Sequence, residues 1–171
     1  MDGLHLDLDD NTFDIAGSQF GVMLFPDFQQ GLREMIRVVK PGGSVFIISF
    51  GPPQKVEFLG MFIHAIQTVI PGFTGLALDP PPLEFQIADA SVLQHKMEEA
   101  GLKNVRVNPI DHKLAFRSGK EMWNWVTSSN PIGKNMISGL NDEQRSQVQK
   151  ILDEKIRERS GDDGAANLNV A

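Results

Sequence analysis

Ser44 to Phe50, SVFIISF, holds two hydroxyls among five aliphatic and aromatic side chains. Such a run is how a strand buried on both faces of a parallel sheet reads, since a strand with one wet face would alternate. A parallel strand needs a neighbour reached by a crossover, and the preceding residues supply one. Phe13 to Leu24 clusters its apolar residues at Phe13, Ile15 and Ala16 and again at Phe20 and Val22 to Phe25, a short strand followed by a loop around Ser18 to Gly21. From Asp27, Phe28, Leu32, Met35, Ile36 and Val39 recur at helical spacing with Arg33, Glu34, Arg37 and Lys40 facing elsewhere, until Pro41-Gly42-Gly43 stops the helix. Strand, helix and strand make a right-handed βαβ unit, whose ligands bind at the carboxyl ends of the strands. Ser18 to Gly21 and Gly51-Pro52-Pro53 are therefore expected to face a ligand crevice, and the chain is expected to be α/β.

Further along, prolines at 52, 53, 71, 80, 81 and 82 bracket one apolar helix, roughly Val56 to Val69. Residues 52–90 read as an insertion covering the crevice. Asp89 is placed to cap a helix containing Val92, Leu93 and Met97 and ended by Gly101. Val105, Val107, Ile110 and Leu114 suggest a strand, and Trp123, Trp125 and Val126 a short helix after Ser118, broken at Asn130-Pro131. In the last helix Asn141 is the N-cap and Gln144 holds the capping-box position, with Val148, Ile151, Leu152 and Ile156 as the buried stripe. Gly164 to Ala171 reads as a weak tail. No repeat is visible, and 171 residues fit a single domain, 1–171.

A net charge of -6 argues against a phosphate-backbone footprint, so no nucleic-acid partner is expected. The absence of cysteine excludes a disulfide framework and fits a reducing, cytoplasmic setting. The longest apolar stretch, Phe58 to Ile70, is interrupted by Gly60, His64 and Gln67 and is shorter than the roughly 20 residues of a membrane span. His5, His64, His95 and His112 are too scattered for a metal site, and none is expected.

Several blocks in order carry a resemblance. They are the acidic opening Asp2-Gly3-Leu4 to Asp10, closing on Asn11-Thr12-Phe13-Asp14; Gln19-Phe20-Gly21 with Phe25-Pro26-Asp27; Leu32-Arg33-Glu34 with Arg37-Val38-Val39-Lys40-Pro41-Gly42-Gly43; Glu98 to Leu102; and the tryptophan segment 121–125. Together they resemble the class I S-adenosylmethionine-dependent methyltransferases, in the branch of the ubiquinone and menaquinone C-methyltransferases. The resemblance implies a partial Rossmann-like methyltransferase fold, a mostly parallel sheet flanked by helices, with S-adenosyl-L-methionine as cofactor and a small, apolar methyl acceptor. The family's first strands and its Gly-x-Gly-x-Gly loop have no counterpart here and are expected upstream of Met1. Leu6-Asp7-Leu8 replaces the family's Leu-Pro-Phe, and Asn167 to Ala171 reads as the approach to a seventh strand cut before it forms. Loss of neighbouring strands predicts an unpaired sheet edge and homo-oligomerisation through it. The alternative is a non-catalytic remnant that acts as an interaction module.

By the same resemblance Asp2 and Gly3, with Leu4 beside them, receive the adenine, the carboxylate accepting from its amine and the backbone donating to a ring nitrogen. A bare acidic terminus is the competing reading of Asp2. Ser18, Gln19 and Phe20 leave the strand at the crevice and are expected to line the cofactor, against the reading of a plain strand-to-helix loop. Phe25 and Phe62 are candidate acceptor contacts, although a Phe stripe also suits a core. His64 and His112 are candidate general bases on the acceptor side. Pro41-Gly42-Gly43 receives a structural role alone, a turn needing positive φ.

Overall fold

A computed structural model describes residues 1–77, 79–129, 131–161 and 164–171. In chain order the elements are β1 (Phe13–Gln19), α1 (Phe28–Val38), β2 (Val39–Ile48), α2 (Glu57–Val69), α3 (Ala90–Glu99), β3 (His112–Phe116), α4 (Gly119–Ser129), α5 (Pro131–Met136), α6 (Asp142–Arg159) and β4 (Ala166–Val170). Where the sequence reads as one domain, the described residues divide into two compact units, Met1–Pro52 with Pro80–Pro109 and Pro53–Asp79 with Ile110–Ala171. Of the segment 52–90, residues 53–79 belong to the second unit and the rest to the first.

In the first unit β1 and β2 pair in parallel, as the βαβ pattern requires. Asp27 caps α1, its carboxylate accepting from the Gln30 amide at 2.9 Å, and the helix ends before Lys40 because the residue preceding a proline avoids the helical region. The Lys-Pro-Gly-Gly turn is not a separate loop. Between Phe13↔Val39 and Ile15↔Ser44, β1 advances two residues while β2 advances five, so the turn bulges from the strand with Gly42 at φ +85°. Leu32 of α1 and Leu93 and Met97 of α3 form the core with Met23 and Ile87, and Val45 and Ile47 of β2 pack onto it. The other face of this sheet corrects the expectation of two-sided burial: Ile15 is 62% exposed, Phe46 51% and Ile48 44%. The helices cover one face, so alternate side chains of β1 and β2 stay outside.

The second unit is built on α2, α4 and α6, with Phe58, Phe62, Ile66, Met122, Val126, Val148, Leu152 and Ile156 at its centre. Trp125 takes Phe58 edge-on at 5.0 Å and Phe116 at 5.8 Å, geometries that suit the aromatic quadrupole. The capping box on α6 is complete, with Asn141 and Gln144 each accepting from the other's backbone amide. Two expectations are corrected here. Ala166–Val170, read as a tail or an unformed strand, pairs antiparallel with β3, its Ala166, Leu168 and Val170 buried on one face. Val105 to Ile110 makes no ladder. Val105 and Val107 spend their side chains on the first unit's core, and β3 begins only at His112. The tryptophan helix α4 ends at Ser129, at the expected break, and Pro131 opens α5; Asn130 lies outside the described residues.

Candidate functional site

The first unit contains a groove of about 330 Å³ along the edge of β1 that β2 does not occupy. It is lined by Phe13, Ile15, Ala16, Gly17 and Ser18 of β1, by Val22, Phe25, Met35 and Val38, and by Gly3, Leu6 and Leu8 of the opening segment. Ser18 is the single hydroxyl among these side chains, and it is engaged, its Oγ accepting from the Val22 amide at 2.8 Å. The lining therefore favours an uncharged, flat or apolar group over a carboxylate or phosphate.

The opening segment is a folded strap. Asp2 closes its first turn, with one carboxylate oxygen accepting from the Leu4 amide at 2.9 Å and the other 3.6 Å from His5 Nδ1, while the His5 amide donates to the Asp2 carbonyl at 3.1 Å. The Phe25 ring lies between two glycines. A Cβ on Gly3 would stand 2.2 Å from its Cζ, and one on Gly31 would stand 2.4 Å from its Cδ2. Only residues without side chains let the ring join the strap to α1.

One face of α1 holds the rest. Gln30 Nε2 donates to the Leu4 carbonyl at 3.1 Å, and the Leu6 amide donates to Glu34 Oε2 at 2.7 Å. All five donors of Arg37 are used: Nε and one Nη on the Glu34 carboxylate at 2.8 Å each, and the remainder on the carbonyls of Leu6 (2.9 Å) and Leu8 (2.7 Å) and on Asp10 (2.6 Å). The amides of Asn11 and Thr12 then cap the final carbonyls of the helix, those of Arg37 and Val38. The Arg37 guanidinium and the Leu6 amide hold the Glu34 carboxyl down to about 2, against an ordinary 4.5. Glu34 and Arg37 keep their charges between those values. A folded-state value below the unfolded one means that the stabilisation is complete above pH 4.5 and is lost as pH falls toward 2. The NMR shift of the Leu6 amide should accordingly titrate with a midpoint near 2 and lose that transition in Glu34→Gln. A midpoint near 4.5 would show that the pairing does not persist in solution.

Of the residues named from the sequence, Gly3, Ser18 and Phe25 meet in the groove, with Asp2 and Leu4 in the adjoining turn. Gln19 points to the opposite face of the sheet, as strand alternation requires. Phe20 sits just past β1 at φ +53°, unusual for a bulky residue, with its amide on the Ile48 carbonyl at 2.8 Å and its ring 4.9 Å from Phe50. Phe62, His64 and His112 belong to the second unit. Phe62 is fully buried 5.6 Å from Trp123 and serves the core there, whereas His64 and His112 are exposed on α2 and β3. Gln30, Glu34 and Arg37 were not among the candidates, although their i, i+4, i+7 spacing marks one polar helix face.

Among the described residues no group of three or more His, Asp or Glu converges as a metal site would require, and no helix is long and apolar enough to cross a membrane. Residues 1–112 match the model of the ubiE/COQ5 methyltransferase family. The chain belongs to the ubiE/COQ5 methyltransferase family. The match takes in the strap, the groove and the βαβ unit, and stops where β3 begins. The demethylmenaquinone methyltransferase of Bacillus mycoides (strain KBAB4) is 34% identical over 120 residues, which are 66% of this chain and 50% of that protein. That of Corynebacterium kroppenstedtii is 33% identical over 111 residues, 61% of this chain and 48% of that protein. The chain thus spans about half the length of these ubiE/COQ5 relatives. A crystal structure of a candidate methyltransferase from Bacillus halodurans C-125 superimposes with a TM-score of 0.50 at 13% identity, covering 99% of this chain and 65% of that one, a likeness of fold.

Proposed function

We propose that this chain takes part in methyl transfer from S-adenosyl-L-methionine, holding the adenine end of the cofactor at the Asp2–Leu4 turn. The family match across residues 1–112 carries this reading, because it contains both the turn and the groove beside it. The residues fit that end of the cofactor: a carboxylate held in a turn borders an apolar groove suited to a flat ring. The groove lining has no cationic side chain to receive the amino-acid carboxylate of the cofactor. When bound, the cofactor supplies a sulfonium methyl. The protein's part is then to orient donor and acceptor and to exclude water.

Ser18, Gln19 and Phe20 follow the carboxyl end of β1, where ligands of such sheets lie, and the strained Phe20 is our candidate for the residue closest to the transferred group. We propose that the protein is cytoplasmic and that its acceptor is small and apolar, of the demethylated quinone kind named for the two relatives. Phe25 remains a proposed contact to it.

Calorimetric titration with S-adenosylhomocysteine tests the reading. Asp2→Ala should weaken binding about tenfold, the cost of losing a charge-assisted hydrogen bond. The free edge of β1 and the exposed Ile15, Phe46 and Ile48 favour a second reading, in which the chain is an interaction module that self-associates through the sheet edge. Absence of binding at millimolar ligand would select this second reading.

A further inference from the structure

We infer that α1 acts as a clamp that sets the register of residues 4–12, and that Arg37 is its positioning residue. The inference rests on the reading of Asp2–Leu4 as the adenine-side contact and extends it to residues that touch no ligand. The strap runs alongside α1, and the helix engages it at Leu4, Leu6, Leu8, Asp10, Asn11 and Thr12. Leu6 and Leu8 are at once the residues whose carbonyls Arg37 holds and part of the groove lining, with Ala16 and Ser18. Their backbone position sets the groove width, and the same backbone leads directly into the Asp2–Leu4 turn.

A solvated ion pair would place few demands on geometry and contribute little. Arg37 differs in that two of its five acceptors are backbone carbonyls, which carry no charge and are met only if the chain stands at one register. The guanidinium side chain is 29% exposed and that of Glu34 12%, so water competes weakly for these donors. A lysine keeps the charge but offers three donors on a flexible stem in place of a planar fork, and cannot reproduce the set.

Amide hydrogen exchange by NMR on the full chain decides the matter. Arg37→Lys should speed exchange at Leu6, Asn11 and Thr12 about tenfold, the loss expected when charged hydrogen bonds are broken, with Leu32 and Ile36 in α1 unchanged. Asp10→Asn, which alters only the exposed partner, should change these amides by less than about twofold. Equal protection in Arg37→Lys and the unaltered chain would overturn the clamp, since charge alone would then suffice. In parallel, Arg37→Lys should weaken S-adenosylhomocysteine about tenfold, as strap movement displaces the turn. Unchanged affinity with loosened amides would overturn the positioning role. If the unaltered chain does not bind the ligand, the functional reading and the positioning role both fall, and the exchange data alone decide the clamp.

Discussion

Gly119→Ala is expected to destabilise the second unit by about 3 kcal/mol, the upper part of the range for overpacking a close contact. Gly119 opens α4 directly against the backbone of α6. An added Cβ would stand 2.2 Å from the Asp153 nitrogen, 2.5 Å from the Leu152 carbonyl carbon and 2.8 Å from the Asp153 Cα. These are backbone atoms of a helix packed through Val148, Leu152 and Ile156, so no side-chain rotation relieves the clash. Separation of the helices would also strain the Gly119 amide, which donates to the Asp153 carboxylate. Both tryptophans of the chain, Trp123 and Trp125, lie in α4, so their fluorescence in urea follows this unit. At a slope of about 2 kcal/mol per molar, the midpoint should fall by roughly 1.5 M. Gly60 in α2 is the matched control, with nothing within 4 Å of a Cβ. Gly60→Ala should raise the midpoint slightly, since the substitution lowers the entropy of the unfolded chain. Equal midpoints for the two variants would refute the close approach of α4 and α6.

The sequence disclosed those parts of the fold that periodicity or a local chemical rule controls. The βαβ unit, the caps at Asp89 and Asn141 and the stripe on α6 depend on residues a few positions apart, and all appear. What escaped depends on partners distant in sequence. The bulge at Lys40 to Gly43 exists because β2 must stay in register with β1 on both sides of the turn. β4 pairs with a strand some fifty residues earlier, and its five residues carry too short a pattern to announce it. Apolar composition at 44–50 indicated burial, but burial also needs a covering layer, and the helices supply one on a single face.

The candidate site divides in the same way. Gly3, Ser18 and Phe25 were identified through motif blocks and meet in one groove. Arg37 was passed over as a solvent-facing charge because its acceptors are backbone carbonyls, which every residue possesses and no sequence pattern marks. Phe62 was weighed as an acceptor contact on aromatic character alone, and the structure uses that character for packing against Trp123.

Gly3→Ala should weaken S-adenosylhomocysteine binding by more than about tenfold, because the methyl group lands where the Phe25 ring already lies. The ring cannot retreat toward α1. Its other edge rests on Gly31, where a Cβ would also meet Val22 at 3.3 Å, so the space behind it is occupied by the helix and its neighbours. The strap must lift instead, breaking the Gln30 bond to the Leu4 carbonyl and carrying Asp2 away from its place. The stability cost should be about 1–3 kcal/mol, read from exchange protection across residues 28–38. Phe25→Ala separates this clash from any intrinsic need for glycine at position 3, whose backbone shows no positive φ. Alone, Phe25→Ala removes the ring and costs stability through the lost contact. Combined with Gly3→Ala it removes the obstacle, so the double variant should be more stable than the two single effects predict by about 1–2 kcal/mol. Additive effects would mean that ring and glycine do not meet in solution. If coupling is observed but the double variant regains no affinity, the Phe25 ring is needed for the ligand as well as for the strap, which would place Phe25 in the binding site.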